Sequence, residues 1–473
     1  MISRRALCLG ASQLAFLGVA AAGIGRAVAA APRRTIASFG ARGDGRADDS
    51  DAVDAAIRSS VPLDWQDRTY RVTRRVGPFR GSLANLDWTS SGARIVLDPR
   101  SDPQPAVLEV RLAPGGFHSI AGSGLAIDAS FKASMGAYFN QPEADRHGIF
   151  ESDRLAVSNI RSDAKGASAS GIRIRGGFGR VALRHPAVRN VILARGSGKP
   201  GSAGVNGIFV TRADPRISDS APLFVHLIEP LIENVTSEDP DYTMDQDGLV
   251  MFGRMHTDPE REYDECLVEG GLWRNCWGRD IKVQMGGGRV VGGRFEHFTA
   301  PRSGTAGSSI AFLWGPGTVE RVSHHYRGVS PVELVAHAAG RHGDPRAAIY
   351  RQSTYEIHDA AAQSIMRTYA RRSDFPPVVM EEITGVGRAD FALSVHLPSR
   401  TAEVRLRSVA GTFLKALAEA TVAKGIEPGQ LIARAEDCAN YGARVPFVAS
   451  RLPRGTAGPR ISAVNNTGFL PPG

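Results

Sequence analysis

Short apolar steps recur along the middle of the chain. Gly148-Ile149-Phe150, Gly171-Ile172-Arg173, Gly207-Ile208-Phe209, Gly248-Leu249-Val250, Asp280-Ile281-Lys282 and Ser309-Ile310-Ala311 begin 23, 36, 41, 32 and 29 residues apart. A second step runs out of phase with the first: Leu155-Ala156-Val157, Ala187-Val188-Arg189, Leu231-Ile232-Glu233, Leu267-Val268-Glu269, Arg289-Val290-Val291 and Thr318-Val319-Glu320. Strand alternation turns Ile149, Ile172, Ile208, Leu249, Ile281 and Ile310 inwards and the residue after each outwards. Two interleaved ladders, one coil per repeat, predict a parallel β-helix whose unequal repeats carry loops of different length. Asn159, Asn190 and Asn234 lie just beyond three of the steps, where an amide turns the chain or ladders between coils. Segments around Tyr355, Val379, Val404 and Ile432 read as further coils in weaker register. A doubly wound α/β sheet needs a helix between strands, whereas these connections are rich in Gly, Ser and Pro. The stretch 412–424 alone has helical composition and predicts a loop helix or lateral cap.

Near the start the period changes. Ala52, Val53, Ala56 and Ile57 fall on one face of a short helix, and Asp48, Asp49, Ser50 and Asp51 supply its N-cap and suit its dipole. Gly40, Gly43 and Gly45 before it give a tight loop, with Asp44 in a Gly-Asp-Gly turn. The spacing of this acidic run does not fit an EF-hand calcium loop. Residues 39–57, continuing to Pro62, Tyr70 and Val72, resemble the entry motif of the pectate-lyase-like right-handed parallel β-helix superfamily. That resemblance implies a helix plugging the open end of an all-β solenoid.

The ends and the composition add a compartment. Ser3-Arg4-Arg5, an uncharged apolar run 6–25 and Ala27-Val28-Ala29 read as a twin-arginine export signal over 1–29, so the protein is expected in the periplasm or outside the cell. The β-helix is expected over 30–450 and an extended tail over 451–473. No second apolar span of membrane length follows. Loss of Arg4, Arg5 and Arg26 takes the formal charge from +9 to +6. A basic exported protein favours an acidic partner. The arginines are dispersed and not interleaved with aromatics in a basic run, which speaks against nucleic acid and for an acidic polysaccharide. Cys266, Cys276 and Cys438 remain after the signal, too few for a disulfide framework. Cys266 and Cys276 either pair or stay as buried thiols.

The candidate chemistry lies on the outward columns. The first reads Phe150, Arg173, Phe209, Val250, Lys282, Ala311; the second reads Ser152, Arg175, Thr211, Phe252, Gln284, Leu313. Cations with aromatic platforms suit a chain of uronate sugars. The densest cluster is Asp239-Pro-Asp241-Tyr242-Thr-Met-Asp245-Gln-Asp247-Gly248, followed one rung later by Arg279-Asp280-Ile281-Lys282-Val-Gln284. Rungs stack about 4.8 Å apart, which sets Asp247 beside Arg279, with Asp280 and Lys282 within reach. A charged loop over 253–265, carrying His256, Tyr263 and Asp264, is expected to fold over the groove as a wall, and His324-His325 are candidates to approach the same face. No zinc spacing, phosphate loop or Gly-x-Ser-x-Gly elbow is present.

Asp245-Gln246-Asp247-Gly248 is similar to the Asn-x-Asp-Gly rung of the polygalacturonases in the same superfamily, and Arg279-Asp280-Ile281-Lys282 blends features of two other rungs. The Asp-Asp and Gly-His rungs of that family are missing. A polysaccharide lyase acting by β-elimination is therefore the first expectation. Lys282, Arg279, Asp247, Asp245 and Tyr242 are its catalytic candidates, and Gln284, Arg173, Arg175, Asp280 and His256 its substrate contacts. Asp241, Asp245 and Asp247 are candidate calcium ligands. A polygalacturonase-type hydrolase using Asp247 with Asp245 or Asp280, and a non-catalytic carbohydrate-binding factor in exopolysaccharide assembly, are the alternatives.

Overall fold

Alternating apolar residues in short segments draw the chain into coil after coil of parallel strands, each paired only with its neighbours above and below. The computed structural model describes residues 32–79, 83, 85–112, 118–141, 148–163, 168–196, 204–212, 222–238, 246–254, 264–299, 305–338, 346–369, 377–397, 402–422, 430–450 and 459–470. It is a right-handed parallel β-helix with an N-terminal capping helix. The export signal expected over 1–29 lies outside the described residues. Among those described, no helix is long and apolar enough to cross a membrane.

The helix spans Ser50–Arg58 and buries Ala52, Val53, Ala56 and Ile57. Its acidic entry is used locally. Asp48 accepts the Ser50 N–H at 3.0 Å, and Asp49 accepts those of Arg42 and Gly43 at 2.8 and 3.0 Å. Gly43 has φ +62°, in the left-handed region.

Three ladders build the walls, not two. The first contains Met135–Gln141, Ala169–Gly176, Val205–Thr211, Gln246–Phe252, Arg279–Gln284 and Ile310–Phe312. A second holds Gly148–Asp153, Phe178–Arg184, Phe224–Ile228, Glu265–Glu269, Gly287–Val291 and Gly317–Glu320. A third holds Ala156–Ser162, Ala187–Leu193, Leu231–Ser237, Leu272–Cys276, Arg294–His297 and Ser323–Arg327. The step at 148–150 thus belongs to the second ladder, where Phe150 is fully buried and Ile149 faces out. Tyr138 takes the expected place of Phe150 in the first ladder, and Asn140 that of Ser152. The steps expected to form one out-of-phase ladder divide between the second and third. Alternation sets inside from outside but carries no label for which wall a strand joins.

In the last full coils the strands Ala348–Tyr369, Val378–Leu397 and Ala402–Val422 run round the corners without a break. The helix expected over 412–424 is therefore strand through Val422, its Ala, Leu and Glu overridden by pairing with 388–397 and 448–450. Arg460–Val464, expected as tail, pairs with Leu431–Glu436 as a further rung.

The amide ladder is present. The side-chain amide of Asn190 donates to that of Asn159 at 3.0 Å, Asn234 to Asn190 at 3.1 Å and Asn275 to Asn234 at 3.4 Å. All four asparagines have φ between +54° and +60°, a conformation that asparagine adopts more readily than most residues. Cys266, Cys276 and Cys438 are free, buried thiols. Burial pushes the Cys438 thiol up to about 11 and raises the other two as well.

The interior carries an aromatic spine that includes histidines. Trp273 stacks on Phe295 at 4.7 Å and Phe295 on His324 at 5.1 Å; Phe312 stacks on His337 at 5.0 Å. Burial pulls both imidazoles from 6.5 down to about 3, with the nearby His297 adding to the shift of His324. In the unfolded chain both take up protons from about pH 6.5 downwards, while in the folded chain they stay neutral until about pH 3. Their contribution to stability is complete above about pH 6.5 and is lost as the pH falls towards 3. Urea midpoints are expected to drop across that window, and the double variant His324→Phe/His337→Phe to flatten the drop. An unchanged pH profile in that variant would assign the acid sensitivity elsewhere.

Candidate functional site

The first ladder presents the elongated face on which the candidates gather. From rung to rung its outward column reads Glu109, Tyr138, Arg173, Phe209, Val250, Lys282, Ala311, Ala336, Arg367, Ser394 and Glu419. A parallel column carries Asn140, Arg175, Thr211, Phe252 and Gln284. The expected alignment of Arg173 with Lys282, and of Arg175 with Gln284, is therefore present, each pair three rungs apart. At about 4.8 Å per rung, Arg173 and Lys282 are roughly 14 Å apart along the wall.

Arg173 is held between two rings. Its guanidinium carbon lies 5.8 Å from the Tyr138 ring centre and 5.1 Å from that of Phe209. Burial there pulls the guanidinium below the usual arginine range, and Arg175 beside it adds to the shift. Three successive rungs thus make an aromatic–cation–aromatic platform. It borders a cleft of about 380 Å³ lined also by Phe131, Lys132 and Arg161.

The central cluster lies three rungs on. Asp247 pairs in register with Arg279, as the sequence spacing predicts. Arg279 Nη1 donates to Asp247 Oδ1 at 3.2 Å, and Lys282 Nζ lies 3.8 Å from Oδ2. The carboxylate is fully buried, the Lys282 side chain is 6% exposed and that of Arg279 is 28% exposed. Gln284 is half-buried beside Phe252, whose ring meets Trp314 edge-on at 4.6 Å. Two cations against one carboxylate oppose a divalent ion sharing Asp247. Asp241 and Asp245, the other calcium candidates, lie outside the described residues, as do Tyr242 and His256.

Asp280 is a correction. The chain rounds the corner between the third and first ladders there, so Asp280 and Ile281 are both buried. Ser309 Oγ donates to Asp280 Oδ2 at 2.6 Å, and His297 Nε2 lies 2.9 Å from the same oxygen. Asp280 is an interior group, held through Oδ2 by neighbouring coils, and does not reach the outer face. His324 also points inwards, and His325 lies on the third wall, so neither approaches Lys282.

A second ion pair braces the edge of this face. Arg212 Nε and Nη2 donate to Asp264 at 2.6 and 2.7 Å, and both residues are buried. Asp264 also accepts the N–H groups of Leu223, at 2.7 Å, and Arg254. One carboxylate thereby joins the connections that follow Val205–Thr211 and Gln246–Phe252 to the strand Phe224–Ile228. Sequence reading placed Asp264 in a charged loop wall and gave Arg212 no part.

Further along the same wall a cleft of about 250 Å³ is lined by Arg367, Asp390, Phe391, Ser394, Lys415 and Glu419, among others. These residues were missed because the coils that carry them were read in weak register. The alternation Met366-Arg367-Thr368 and Leu393-Ser394-Val395 was the available signal.

No protein-family model and no curated protein sequence matches this chain. Among solved structures, the mannuronan C-5 epimerase AlgE4 A-module of Azotobacter vinelandii is similar over 91% of this chain and 99% of its own, at 12% identity and a TM-score of 0.48. The catalytic unit of the GH87 α-1,3-glucanase of Streptomyces thermodiastaticus is similar over 93% and 69%, at 13% identity and a TM-score of 0.38. The surface adhesin PfbA of Streptococcus pneumoniae is similar over 93% and 91%, at 10% identity and a TM-score of 0.39. At these values the likenesses assign no activity to this chain.

Proposed function

We propose that this protein is a polysaccharide lyase that cleaves an acidic, uronate-containing chain by β-elimination. The carrying observation is the buried carboxylate of Asp247 held against Arg279 and Lys282 on the first ladder, with Lys282 in one column with the Tyr138–Arg173–Phe209 platform. A rung repeat of about 4.8 Å is close to the rise of one sugar along an extended chain, so successive rungs meet successive sugars. Arg173 and Arg175 bind uronates away from the scissile bond. Arg279 neutralises the carboxylate of the reacting sugar, which acidifies its C5 proton. Lys282 is the base that takes that proton; the electron pair forms the C4–C5 double bond and the C4–O bond breaks. The leaving oxygen takes a proton from Tyr242 or water. Asp247 holds Arg279 and Lys282 in position. Calcium has no step in this scheme.

Two-carboxylate hydrolysis is less well supported: of the two partners expected for Asp247, Asp280 faces the interior and Asp245 lies outside the described residues. The test is to mix the protein with a panel of acidic polysaccharides, with and without calcium, and follow ultraviolet absorbance of unsaturated uronate together with new reducing ends. A rise in both is expected. Reducing ends without absorbance would replace lyase by hydrolase. Neither signal, with polymer retained on the immobilised protein, would leave a binding factor.

A further inference from the structure

The third wall carries a group of side chains that the polysaccharide reading does not use. His325 and Glu356 are direct partners on neighbouring strands, and His358 lies two residues beyond Glu356 on the same face of its strand. His325 Nδ1 lies 2.8 Å from Glu356 Oε2, and His358 Nε2 lies 3.6 Å from the same oxygen. One donor atom from each of the three falls within 4.8 Å of the others.

We propose that His325, Glu356 and His358 form a binding site for a divalent transition-metal ion of the zinc type. Donors at about 2.0–2.1 Å around a tetrahedral zinc ion lie roughly 3.3 Å from one another. The two histidine–carboxylate separations, 2.8 and 3.6 Å, bracket that spacing, and the two imidazole donors, within 4.8 Å of each other, close to it by side-chain rotation. Two imidazoles with one carboxylate suit zinc, cobalt, nickel or copper, whereas calcium and magnesium take oxygen ligands. Three protein donors leave a fourth position for water or another ligand.

The surroundings fit the assignment. All three residues sit on ladder strands, so the backbone fixes their separation before any ion arrives. Phe298 packs edge-on against His325, with ring centres 5.5 Å apart, and limits its rotation. Among the described residues, the ion-pair partners of Glu356 are the two histidines alone, so no lysine or arginine competes for its charge. Its side chain is 53% exposed and that of His358 40% exposed, which gives an ion a path in. Bound there, the ion ties two successive coils together.

The test uses the full, tag-free chain, stripped with a chelator and titrated with Zn²⁺ by calorimetry and with Co²⁺ by visible absorption. One ion per chain is expected, with the intense d–d bands of low-coordinate cobalt and a higher melting temperature in zinc. His325→Ala, His358→Ala and Glu356→Gln are each expected to weaken binding by at least about tenfold. Glu356→Gln keeps the side-chain shape at an exposed position, so folding of this variant is not at issue. No binding by the wild type, binding unchanged in all three variants, or equal displacement of zinc by calcium would each overturn the site. None of these readouts depends on polysaccharide turnover.

Discussion

Lys282→Ala is expected to lower kcat on the polysaccharide substrate by about two to four orders of magnitude, the range that general acid–base groups contribute. Binding of the polymer is expected to persist in part, because Arg173 and Arg175 lie three rungs away and are untouched. Asp247→Asn removes the charge between Arg279 and Lys282 while keeping the side-chain shape, and loss of turnover should again exceed loss of binding. The variants are to be compared by initial rate of absorbance increase and by retention of polymer on immobilised protein. Lys282→Arg is the control: it preserves the ion pair but gives a poorer base, so a positioning role alone would leave it active. Full turnover in Lys282→Ala, Arg279→Ala and Asp247→Asn alike would place the chemistry elsewhere on the wall.

Asp264→Ala is expected to destabilise the fold by about 3–5 kcal/mol, the usual cost of removing one partner of a buried ion pair. The cost arises because Arg212 keeps its charge at 6% side-chain exposure, and the N–H of Leu223 loses its acceptor. Urea denaturation should show a lower midpoint. The double variant Arg212→Met/Asp264→Leu should recover much of the loss, since it removes both charges and refills the space. A midpoint in Asp264→Ala within experimental error of wild type would mean that the carboxylate does not clamp these connections. The clamp lies at the edge of the first wall, so partial loss of polymer binding is expected in the same variant.

The proposed zinc-type site and the proposed lyase site share one coil system but lie on different walls. His325 and Glu356 belong to the third ladder, Arg279 and Lys282 to the first. Failure of one reading therefore leaves the other standing.

Much of this architecture is local in origin, and the amino-acid sequence alone determined it. The capping helix at Ser50–Arg58 follows from an apolar face and an acidic first turn within one short segment. The left-handed asparagines follow from a residue type that tolerates that backbone. The register of Asp247 on Arg279 follows from matching apolar steps on adjacent rungs, since a slip by one residue would turn every buried aliphatic outwards. Three features were decided only by the tertiary structure. A period of two says inside or outside but not which of three walls, so Tyr138 stands in the column where Phe150 was expected and Phe150 is buried in the second ladder. Corners suspend the alternation, so Asp280 turned inwards to Ser309 and His297 although its position in the sequence suggested the groove. Pairing overrode propensity at 412–422, where a helix-forming composition lies between strand partners at 388–397 and 448–450. The cluster of His325, Glu356 and His358 has the same origin: residues 31 and 33 positions apart meet only because one full coil separates their strands.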